Sequence, residues 1–107
     1  MNENFDVEPE VLKAKITAET AQINWLELQK FYAAGDVLQV SADLDLVEVA
    51  YAFAIDAKAQ VAVWLKQHQL GRVEPAQAQV WYQQQQTLWA VVISPWVLVQ
   101  DKSSLAH

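Results

Sequence analysis

A chain of 107 residues with 13 acidic and 7 basic side chains carries a net charge of −6 and is long enough to hide about 65% of its unfolded surface without a disulfide or metal staple. The absence of cysteine excludes disulfides, iron–sulfur clusters, thiolate zinc sites and cysteine nucleophiles, and the lysines and the single arginine, Arg72, are too scattered among acids to neutralise a nucleic acid. Leu88 to Val99 is the longest apolar run and holds Pro95, while residues 49–65 are interrupted by Asp56, Lys58 and Gln60, so neither stretch reads as a membrane span.

From Met1 to Val7 the chain is polar and acidic, and residues 1–8 and 102–107 are expected to be flexible ends of one domain covering 1–107. Glu3, Asp6, Glu8, Glu10 and Glu19 occupy the positions where a secretory leader would need an apolar core, so a cytoplasmic location is expected. Pro9 suits the first position of a helix, and Val11, Leu12, Ile16 and Ile23 recur near helical spacing, which predicts a helix over 9–21. Asn24, followed three residues on by Glu27, caps a second helix with Trp25, Leu28, Phe31 and Tyr32 on its apolar face and Gly35 at its end. Val37 to Ser41 predicts a short strand, with Leu38 and Val40 pointing one way and Gln39 the other.

Asp45 and Glu48 repeat the cap signature ahead of a segment free of Gly and Pro until Gly71. At about 100° per residue, Leu46, Val47, Ala50, Phe53, Ala54, Ala57, Val61, Trp64 and Leu65 share one apolar sector. Ile55 falls outside that sector and Asp56 is a good cap residue, which favours two helices joined at Asp56 over one long helix. Pro75 opens a further short helix through Ala78, Val80, Trp81 and Tyr82 to a solvated end at residues 83–86. Pro95 cannot donate to a ladder, and it divides the apolar run into strands near 88–94 and 96–100 on either side of a kink. The expected fold is α+β, with four or five helices packed on a small two- to three-stranded sheet in a single pair of layers.

Asp43, Asp45 and Glu48 form the best acidic cluster. If residues 43 and 45 are extended, their side chains share a face, and with Glu48 one turn into the helix three carboxylates could converge on a hard cation or serve as acid and base. Asp45 and Glu48 are already employed as a reciprocal cap, and the glycine and downstream ligands of a calcium loop are missing, so a structural role is favoured and no resident metal or cofactor is expected. His68 reads as a solvated helix-end residue and His107 as part of the tail. Neither Ser41 nor Ser94 lies in a nucleophile-elbow sequence, and Gly35 and Gly71 cannot build a phosphate cradle. Of the five tryptophans, Trp25, Trp64 and Trp81 fall on apolar helical faces, whereas Trp89 and Trp96 differ in strand parity.

LDLVEVA at residues 44–50, the Trp-Leu pair at 64 and 65, and WAVV followed by PWVLVQ through Gln100 resemble a family of small bacterial proteins known as domain of unknown function 2288. The resemblance runs roughly from Ile23 to Asp101 and is most specific over Pro95 to Gln100. Asp-Ala-Lys at 56–58 stands where the family leads one to expect a more acidic pair. The resemblance implies a bacterial, cytoplasmic, single-domain protein and transfers no catalytic or ligand residue.

The favoured role is a non-enzymatic interaction module that self-associates. Neither side of the run from Leu88 to Val99 is polar, so a small sheet with few helices would need a second subunit on one face. That reasoning predicts a two-fold homodimer centred on Trp89, Val91, Ile93, Trp96, Val97 and Val99, with another protein as the other kind of partner and neither nucleic acid nor membrane involved. The alternative is a small metal-assisted or acid–base enzyme using Asp43, Asp45 and Glu48. A concave pocket holding those carboxylates would favour the enzyme, and an exposed apolar patch near the C-terminal strands would favour the module.

Overall fold

Pro9 opens the first helix, where its missing N–H costs nothing, in the computed structural model, which describes residues 8–102. The helices are α1 (Pro9–Glu19), α2 (Gln29–Ala33), α3 (Leu46–Ala54), α4 (Lys58–Lys66) and α5 (Pro75–Gln84), and a 3-10 turn, Trp25–Leu28, leads into α2. The strands are β1 (Ala21–Asn24), β2 (Val37–Val40), β3 (Leu70–Arg72), β4 (Thr87–Ile93) and β5 (Trp96–Gln100). They form one sheet in the order β1-β4-β5-β2-β3, antiparallel except for the parallel pair β2 and β5. The expected flexible ends lie outside the described residues apart from Glu8 and Lys102.

The α+β expectation holds, but the sheet has five strands rather than two or three, and helices cover both of its faces rather than one. On one face Val91, Leu98 and Leu38 lie side by side across β4, β5 and β2, and together with Val40 and Leu70 they pack under Ile16 of α1 and Leu46, Val49 and Ala50 of α3. On the other, Leu88, Val97, Val99 and Val37 pack under Trp25, Leu28 and Trp81. Trp25 anchors this second core, edge-on to Trp81 at 5.1 Å between ring centroids and tilted against Tyr32 at 5.3 Å. Ser94 and Pro95, joined by a cis peptide, turn the apolar run into a hairpin, so Val97 and Val99 share the face of Leu88 and Ala90 rather than that of Val91 and Ile93.

The two extra strands are edge strands of four and three residues. Thr20 is extended and its hydroxyl donates to the carbonyl of Ile16 at 2.7 Å, which closes α1 before Ile23 and hands that residue to β1 opposite Leu88. Pairing, not local preference, makes these segments strands. The segment after Asp45 is two helices, as favoured, but Asp56 works differently from expectation. It is the left-handed residue that ends α3, with Ala57 N–H donating to Ala52 O at 2.8 Å and Asp56 N–H to Phe53 O at 3.1 Å. His68 and Gln85 close α4 and α5 in the same way, and Gly35 is the glycine that does so, after α2.

Candidate functional site

The loop from Ser41 to Asp45 leaves the carboxyl end of β2, beside the carboxyl end of its parallel neighbour β5, and leads into α3. Crevices outside the carboxyl ends of parallel strands are where open sheets hold ligands. Gln100, 1% exposed at the end of β5, fixes this loop by donating both amide protons, to Ser41 O at 2.8 Å and to Leu44 O at 2.7 Å. A buried primary amide on an otherwise apolar strand thus replaces the ladder partners that the turning chain has left behind.

Within that frame the three carboxylates part company. Asp43 accepts from the Ser41 hydroxyl on one oxygen and from Gln69 Nε2 at 3.4 Å on the other, and the Ser41 hydrogen bond, more than any other cause, holds its carboxyl below the ordinary carboxylate range. Asp45 caps α3, accepting from Val47 N–H at 2.9 Å and Glu48 N–H at 3.3 Å. Glu48 reaches sideways to Lys13 of α1 at 3.0 Å, and this contact raises the lysine's pKa. Asp43 and Asp45 line a recess of about 440 Å³ with Thr20, Trp89, Gln100 and Lys102, but Glu48 is not part of it. Among the described residues no group of three or more His, Asp or Glu side chains is placed to hold a metal ion.

The apolar candidates separate as well. Val91, Val97 and Val99 are at most 3% exposed within the single chain and belong to its own cores. Ile93 and Trp96 are half-buried, and Trp89 stands 39% exposed on the wall of the recess beside Asp45. Trp96 instead lines an apolar groove of about 260 Å³ with Phe53, Val61, Ala62 and Leu65 along α4. His68 lies at the end of α4 on the rim of a third, polar cleft, and His107 is outside the described residues. The α4 groove is not legible in the sequence, because the periodicity of residues 46–65 gives one apolar sector without saying what surface opposes each part of it. Gln100 was missed as well, although a lone polar residue closing an apolar strand was a signal that could have been followed.

No helix among the described residues is long and apolar enough to cross a membrane. A family model described as "Protein of unknown function (DUF2288)" matches residues 11–101. The fold is similar to the NMR solution structure of PA1075 from Pseudomonas aeruginosa, with a TM-score of 0.78 and 48% sequence identity over 90% of this chain and 89% of that one. No curated protein matches significantly.

Proposed function

We propose that this chain, which belongs to the DUF2288 family of proteins of unknown function, is a non-enzymatic interaction module that pairs with a second copy of itself through the groove beside α4. The observation that carries this reading is α4 itself. It turns Val61, Ala62 and Leu65 to the groove, and although Val61 and Trp64 pack in part against the core, Val63 and Leu65 stand 45% and 47% exposed. A helix with so much apolar surface is ordinarily covered. Asp56 and Lys58 line the same groove, 3.8 Å apart and mostly exposed, one of each sign. A two-fold axis passing between these two residues would set each charge against its opposite on the partner and make the surface complementary to itself. Trp96 supplies a large aromatic anchor and is the residue of the expected interface set that reaches the groove.

The enzyme alternative has less support, since Asp43, Asp45 and Glu48 are engaged in three different structural contacts. All described strands share one sheet, which supports a single domain. A cytoplasmic location accords with a chain that has no cysteine to oxidise. Light scattering at tens of micromolar protein is expected to give the mass of a dimer burying at least ~1,000 Å² in total. Ala62→Glu places a charge in the groove on an exposed helical position and is expected to return the protein to single chains, with Trp96→Ala weakening the dimer. A monomeric mass for the unaltered protein, or an intact dimer in Ala62→Glu, would sink the proposal.

A further inference from the structure

Trp89 and Gln100 are register partners, so their side chains leave the sheet on one face, and Val91 and Leu98, two residues away along each strand, show that it is the face under α3. Gln100 is 1% exposed and Trp89 39% exposed, so the first is set into the floor of the recess and the second stands as its wall. Both amide protons of Gln100 go to the loop above, to Ser41 O and Leu44 O. Its amide oxygen accepts from no described residue and still touches solvent, which it reaches through the recess. A buried side chain thus keeps an unused acceptor turned to the opening.

Asp45, next to Leu44, repeats the pattern. Its Oδ1 takes the N–H groups of Val47 and Glu48 and so meets the positive end of α3, while Oδ2 accepts from no described residue. Asp43 adds a second carboxylate to the lining and Lys102 one ammonium, which leaves the recess one negative charge in excess. Leu44, Leu46 and Val47 supply the apolar remainder.

We propose that this recess binds a guanidinium group, stacked on the Trp89 indole with its edge donating to Asp45 Oδ2 and Gln100 Oε1. A guanidinium is planar, so it can lie on an aromatic face while its in-plane N–H groups reach acceptors beside the ring. It is also more weakly hydrated than an ammonium, which suits a lining that is partly apolar. Its single positive charge balances the excess, and a carboxylate with a free oxygen is the acceptor it pairs with best. The recess shares no lining residue with the α4 groove, so this inference stands apart from self-association.

The test is an NMR titration with methylguanidinium, and with methylammonium as a cation of equal charge and different shape. Methylguanidinium is expected to shift the Trp89 indole N–H and the Gln100 side-chain amide and to bind more tightly than methylammonium. Asp45→Asn keeps the capping oxygen and turns the free one into a donor, so it is expected to melt near the parent and to weaken binding about tenfold. Trp89→Leu removes the stacking face and is expected to weaken binding about threefold, which keeps the test decisive should Asp45→Asn fold poorly. Ala62→Glu is expected to bind as the parent does. Guanidinium groups occur on free guanidino compounds and on arginine side chains, and the tighter binder of 4-guanidinobutanoate and Nα-acetyl-arginine methylamide identifies the source. No shift at Trp89 or Gln100, equal binding of the two small cations, or unchanged binding in both Asp45→Asn and Trp89→Leu would overturn the proposal.

Discussion

α3 and α4 are consecutive helices of nine residues each, both rich in apolar side chains, yet α3 buries Leu46, Val49, Ala50 and Ala52 while α4 buries none of its residues. The difference is one of position over the sheet. α3 lies across the long central strands β4 and β5, whereas α4 lies at the margin beside the three-residue β3, which is too small to cover it. Helical periodicity therefore reports that an apolar stripe exists, and the extent of the opposing surface decides whether the stripe becomes core or interface.

Matched truncations on the two helices would break this comparison most directly. Leu46 is 5% exposed and Leu65 is 47% exposed. Leu46→Ala is expected to cost about 2–5 kcal/mol in urea denaturation, through lost transfer energy and the cavity left behind. Leu65→Ala, measured at protein concentrations dilute enough for single chains, is expected to cost less than about 1 kcal/mol, because most of the leucine's surface is in water in both states. Equal losses at the two sites would mean that α4 is core after all, and the proposed groove would lose its basis.

The helix starts differ as well. Asp45 gives α3 a side-chain cap, while the residue before α4, Ala57, offers none. Asp45→Ala is expected to lower stability by about 0.5–2 kcal/mol, by the same amount with and without added Mg²⁺. A magnesium-dependent melting temperature that disappears on substitution would restore a metal role to the β2–α3 loop.

Much of this architecture was readable because local chemistry and tertiary structure agree. Pro9 and Pro75 open helices, Asp45 caps one, and Pro95 breaks the long apolar run. The misreadings fall where they disagree. Ile23 continues a helical spacing yet joins an edge strand, because β4 offers it a partner that no local pattern announces. Asp56, His68 and Gln85 take left-handed conformations at helix ends, so the glycine that usually marks such an end is absent from them. The acidic trio was legible as residues but not as a site. Convergence depended on where Ser41, Gln69 and Lys13 would arrive, and two of those come from distant segments. β3 was illegible for a similar reason, since Gly71, a glycine between a helix and a proline, looks like a turn until pairing with Gln39 puts it in a strand.

The smallest expected effect concerns Asp43, in the loop that delivers the chain to α3. The Ser41 hydroxyl, followed by a backbone hydrogen bond and the amide of Gln69, favours the charged carboxylate and lowers its pKa in the folded protein. A group whose folded pKa is depressed contributes stability that is fully present above the unfolded value and is lost as pH falls through the folded one. Stability supplied by Asp43 is thus expected to persist at neutral pH and to fade only in acid, below the range in which an ordinary aspartate titrates. Since this carboxylate is exposed, the loss should be small beside that from Leu46→Ala. Carboxyl ¹³C titration by NMR reads the group directly. Ser41→Ala removes the leading cause and is expected to move the Asp43 midpoint upward, toward that of a free aspartate, while leaving the Asp45 cap and the burial of α3 unchanged. A midpoint that does not move would show that Asp43 is held ionised by something other than the Ser41 hydroxyl, and would direct attention to the backbone hydrogen bond and the amide of Gln69.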